Sequence, residues 1–80
     1  MPRRLTELLP AQQAGILCGE VRFFRYLFER RGELVIDRDQ AARAVRALCE
    51  VSSRSELIPG SKAAAVWADI VSEYQWWSRT

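Results

Sequence analysis

The residues able to do chemistry are few: two cysteines, Cys18 and Cys49, ten acids, eleven arginines, one lysine and no histidine. Without histidine the chain lacks the commonest general base, the commonest zinc ligand and every triad built on imidazole. Carboxylate pairs could stand in for acid–base work, but the acids have local explanations. Asp37 reads as a helix cap, Asp39–Arg43 and Arg46–Glu50 are spaced four apart on one helix, and Asp69 and Glu73 line a solvated face. The two cysteines are far apart in sequence with no adjacent cation pattern, and no glycine-rich phosphate loop is present. Both fall on apolar helical arcs, where a thiol packs as a small hydrophobe; a redox pair is the other reading. The expectation is a chain that is not an enzyme, with no catalytic residue, no cofactor and no metal site.

Two residue groups could recognise another molecule. The first is basic. Residues 1–31 hold six Arg against three Glu, whereas residues 32–60 carry four Arg against five acids and residues 61–80 are neutral. Arg3, Arg4, Arg22, Arg25 and Arg30 are therefore candidates for contact with nucleic-acid phosphates, with Arg31 beside them. Glu20 and Glu29 are interleaved with them, as on a solvated face with ordinary ion pairs, and an arginine-rich sequence also follows from a GC-rich genome. The outline of a helix-turn-helix over Asp37–Ile58 fails on spacing. Pro59 leaves its second helix about five residues, too few for a recognition helix in a major groove.

The second group is aromatic. On an ideal helix over Ser61–Trp77, residues Ala63, Val66, Trp67, Ile70, Val71, Tyr74 and Trp77 share one arc, while Trp76 falls among Lys62, Asp69 and Glu73. Trp76 either folds back at a frayed helix end or is an exposed anchor beside Tyr74 and Trp77, the residue types that dominate protein interfaces. The acids around it argue against a membrane surface.

The elements that must position these groups read as helices. Pro2–Leu9 is a short amphipathic stretch whose Leu5, Leu8 and Leu9 can cap a core, and Pro10 suits a first helical turn. A main helix is expected over Pro10–Arg31, with Leu17, Val21, Phe24 and Phe28 as its core stripe, widened by Ala14 and Cys18. Ile16, Phe23 and Leu27 form a second apolar strip, covered either within the chain or by a partner. Gly32 is placed as a left-handed cap. Glu33–Ile36 is an extended apolar linker that docks on the core or pairs across a dimer. Asp37–Gln40 opens a helix to about Glu50, with Ala41, Ala44, Val45, Leu48 and Cys49 buried; Ser53–Glu56 starts a short turn, and Ser61 caps the last helix.

Size and composition agree. Eighty residues, 49% apolar and 28% charged, form one globular domain over 1–80, and a chain of this size buries only roughly 60–65% of its unfolded surface, which makes self-association plausible. No secretory signal or apolar run long enough to span a bilayer is evident, so a cytoplasmic location is expected.

The run from Ala47 to Gly60, ALCEVSSRSELIPG, followed by an alanine-rich helix with Trp67, Tyr74 and Trp77, resembles small helical proteins encoded by phages and prophages of GC-rich Gram-negative bacteria. These have no agreed activity, so no functional residue carries over. The resemblance implies a setting in which small domains bind and modulate host or phage machinery.

The resulting expectation is an all-α, compact bundle of three main helices plus one or two short helical segments, with Phe24, Phe28, Leu48, Val66 and Ile70 among its most buried residues. Its function is expected to be protein binding through Trp76, Trp77, Tyr74, Phe23 and Leu27, with a homodimer as one form of that binding. Nucleic-acid binding through the arginines is the second choice, and no membrane contact is expected.

Overall fold

The structure, a computed structural model, describes residues 4–79. Among them the chain is all-α: α1 (Pro10–Leu17), α2 (Val21–Arg31), α3 (Arg38–Cys49) and α4 (Lys62–Arg79), with short 3-10 turns at Leu5–Glu7 and Arg54–Glu56 and no strand. The radius of gyration, 11.6 Å, is that of a compact globular chain of this length.

The single helix expected over Pro10–Arg31 is two. The amides of Gly19 and Glu20 bond to carbonyls three residues back, at Ile16 and Leu17, so the first helix tightens and stops. Glu20 is extended (φ −103°, ψ 125°), and its carbonyl accepts from Phe23 and Phe24 to begin α2. Gly19 gives this break its sequence basis, since glycine in a helix interior costs about 1 kcal/mol relative to alanine. Arg38 supports it by donating to the Gly15 carbonyl near the end of α1 at 3.1 Å.

The break changes which face of α2 is buried. Phe23, Tyr26 and Leu27, spaced three and four apart, are completely buried, whereas Val21 and Phe28, expected in the core, are 77% and 58% exposed. Phe24 is buried as expected, Ile16 is exposed, and Leu48 and Val66 are only half-buried. The expected stripe assumed that α1 and α2 shared one helical phase. Once the chain bends at Glu20, Phe23 and Leu27 of the second strip are covered within the chain, while Ile16 is not.

Phe23 sits at the meeting of α2 and α4. Its ring lies 5.2 Å from Tyr74, 5.7 Å from Tyr26 and 6.1 Å from Trp67, mostly edge to face. The indole N–H of Trp67 would be stranded in this interior but donates to Gln13 Oε1 at 2.8 Å. The Gln13 amide in turn donates to the Leu5 carbonyl, which ties the N-terminal turn to the core.

The remaining joints follow the sequence closely. Gly32 caps α2 at φ 69°, and Val35 alone of the segment 33–36 enters the core. Asp37 Oδ1 accepts from the Gln40 amide at 2.8 Å, while Gln40 Oε1 accepts from Ile36. Glu56 accepts from the Ser52 and Ser53 amides, and Ser61 Oγ accepts from Ala64 to start α4, which runs two residues beyond the expected Trp77. Glu50 leaves α3 in a left-handed conformation (φ 56°), so its expected pairing with Arg46 does not form, nor does Asp39–Arg43.

Two outcomes test this account. Phe23→Ala is expected to lower unfolding stability by about 3–5 kcal/mol in urea titration and Phe28→Ala by less than about 1 kcal/mol, the reverse of what a continuous helix requires. Glu50→Gly is expected to raise stability by about 0.5–1 kcal/mol, because glycine adopts φ 56° without a Cβ penalty.

Candidate interaction surface

The candidate surface is built where α2 packs on the C-terminal half of α4. Arg22 near the start of α2 donates to the Ser78 carbonyl at 2.7 Å, while Arg30 and Arg31 at its end reach Glu73. Arg22, Tyr26 and Arg30, spaced four apart, form one edge of α2. Glu73, Trp76 and Trp77 of α4 face that edge.

A buried ladder of rings leads to it. Tyr26, Tyr74 and Trp77 are mutually within 5.5–6.2 Å, with Trp77 half-buried at the outer end and the Arg22 guanidinium 5.2 Å from its ring centroid. Trp76 is the outlier, as its helical position requires. It is 58% exposed, with the Arg30 guanidinium 5.9 Å from its ring centroid.

Polar contacts fix the frame. The Tyr26 hydroxyl donates to Glu73 Oε1 at 2.6 Å and accepts from Arg31 Nε at 3.1 Å; Arg30 donates to the other Glu73 oxygen at 3.3 Å. Burial, reinforced by the bond to Glu73, pushes Tyr26 up to about 12. The same bond holds the Glu73 carboxyl below its ordinary range, with Arg30 and Arg31 adding to the effect. Tyr74 is raised by burial and by Glu20, which accepts from its hydroxyl at 3.4 Å.

The expected site residues therefore separate. Trp76 is exposed and Trp77 borders the surface, but Tyr74 is buried, and Phe23 and Leu27 are wholly enclosed by the chain itself. Neither Phe23 nor Leu27 can meet a partner, because the bend at Glu20 turns their strip inward. Among the arginine candidates, Arg22 is held by Ser78 and Trp77 and Arg30 by Glu73, while Arg25 pairs with Glu29 but stays 73% exposed. Arg4 is exposed, and Arg3 lies outside the described residues.

A second surface was missed by sequence reasoning. Val21, Phe28, Leu34 and Ile36 surround an open groove of about 410 Å³, floored by Phe24 and Val35. It lies on the side of α2 roughly opposite the tryptophans. The alternation Leu34 out, Val35 in, Ile36 out is a sequence signal for half of it, but the other half depends on the rotated face of α2.

Both cysteines are free and buried, and burial raises both thiols above their ordinary range. No group of three His, Cys, Asp or Glu side chains among the described residues is placed to hold a metal ion, and none of the described helices is long and apolar enough to cross a membrane. No protein-family model, curated protein or solved structure matches the chain.

The tyrosine network sets an alkaline limit. A raised folded-state value means that the neutral hydroxyl favours folding, a contribution present in full below the ordinary tyrosine value of 10.0 and lost as pH rises toward about 12. Unfolding stability is expected to fall by up to about 2 kcal/mol across that window, with tyrosinate absorbance delayed to match. Tyr26→Phe should flatten most of the decline; an undiminished slope would place its origin elsewhere.

Proposed function

We propose that this protein is a non-catalytic protein-binding module whose anchor is Trp76. The observation that carries the reading is an indole 58% exposed yet held on a long helix, with Arg30 over its ring and Trp77 beside it. An anchor of this kind loses little conformational entropy on binding, because the backbone is already helical and the neighbouring side chains are engaged. Arg22 and Arg30 border the aromatic pair, so a partner offering an apolar pocket rimmed by carboxylates is the chemical match. The resemblance to small phage and prophage proteins supports the narrower role of an accessory or inhibitory module acting on host or phage machinery.

The deciding comparison is Trp76→Ala against the native chain. Its thermal midpoint is expected to change by less than roughly 2 °C, since a half-exposed side chain contributes little to the core. Binding to a protein captured from a lysate of the native host should weaken at least about tenfold and survive nuclease treatment. A midpoint lowered by many degrees would return Trp76 to a structural role, and retention that vanishes with nuclease would shift the function to the arginines.

A further inference from the structure

We propose that the groove between α2 and residues 33–36 is a homodimer interface, a surface separate from the Trp76 anchor. Val21, Phe28, Leu34 and Ile36 are 77%, 58%, 74% and 72% exposed. Together they present an apolar patch on the order of a few hundred Å², the size of the largest patch on an ordinary monomer, on a chain of only 9.2 kDa. Two such faces in contact, together with their polar rim, reach the low end of specific interfaces, about 1,000–1,200 Å² in total. The area needed for a weak, stable pairing is already present on one copy.

The charges favour a second copy. Arg25 lines the α2 side of the groove, while Glu33 and Asp37 bracket the segment opposite. A two-fold axis through the groove lays α2 of each copy against residues 33–36 of the other, so that Arg25 meets acids at both ends of the contact. Placing α2 on α2 instead would oppose arginines and is disfavoured. Among the described residues Arg25 is held by Glu29 alone, in an exposed pair four residues away, so changing partner costs little. The alternation of 34–36 suits this arrangement, since Val35 is buried while Leu34 and Ile36 both face outward, toward the α2 of the other copy.

Sedimentation analysis of the full chain over roughly 1–300 µM tests the proposal, with a monomer–dimer equilibrium in the micromolar range expected from so modest an interface. Ile36→Glu should leave a folded monomer throughout. Arg25→Glu and Glu33→Arg should each weaken dimerisation by about tenfold, and the double exchange should restore it. Trp76→Ala should leave it unchanged, which separates this surface from the anchor. A chain monomeric at every concentration, its groove left for some other protein, overturns the proposal. So does a dimer indifferent to Ile36→Glu, or an exchange that fails to restore pairing.

Discussion

The Phe23 ring is enclosed by Tyr26, Trp67 and Tyr74 at 5.2–6.1 Å, and the placement of the other helices follows from that contact. Aromatic side chains bury large areas, and their edge-to-face geometry fixes the angle at which α2 and α4 meet. A domain this small has few alternatives for a core. To bring Phe23 inward the chain must end α1 at Leu17, leave Glu20 extended and restart, losing helical hydrogen bonds around Gly19 in exchange for three fully buried side chains. Gln13 then closes the centre by accepting from Trp67, so that no buried side-chain polar atom among the described residues is left without a partner.

The inward turn of one strip has an outward consequence. Exposing Val21 and Phe28 is the geometric complement of burying Phe23 and Leu27, since both pairs belong to one helix of eleven residues. α2 therefore carries a core face, a polar edge that organises the tryptophans, and an apolar edge that faces solvent with Leu34 and Ile36. A fold chosen only for stability would have little reason to leave that third edge bare. Its position away from Trp76 means that occupation of one surface does not sterically require the other to be empty.

Local capping signals in the sequence were legible, although the i,i+4 spacings Asp39–Arg43 and Arg46–Glu50 did not become ion pairs. Asp37 and Gln40, Ser53 and Glu56, Gly32 and Ser61 all act within four residues of themselves, and each does in the fold what its spacing implies. The place of Trp76 on the polar side of its helix was legible for the same reason, because α4 is one uninterrupted helix whose phase can be counted along the chain, while the choice between fold-back and exposure stayed open until the structure gave 58% exposure. Phase could not be counted across Glu20. Whether Gly19 breaks a helix depends on what lies on either side in three dimensions, here Arg38 from α3 at the end of α1 and the ring cluster around Phe23. That information is not contained in any short window, so cover of Phe23 and Leu27 within the chain stayed open beside a partner face, and the groove beside Phe28 was not foreseen.

Arginine content gives a further example of composition separating from surface. Six of the eleven arginines lie in the first 31 residues, yet those of α2 are directed at specific acceptors: Arg22 at a helix-end carbonyl and an indole, Arg25 at Glu29, Arg30 and Arg31 at Glu73. A planar guanidinium with five donors can satisfy several such acceptors at once, which a lysine ammonium cannot do with the same geometry. Arg31 does so with the Tyr26 hydroxyl and the Glu73 carboxylate. Arg22, Arg30 and Arg31 fasten α4 to α2 in this way, whereas Arg25 pairs within α2. Arg30 bears on Trp76 most directly, since it pairs with Glu73 and lies over the Trp76 ring at once.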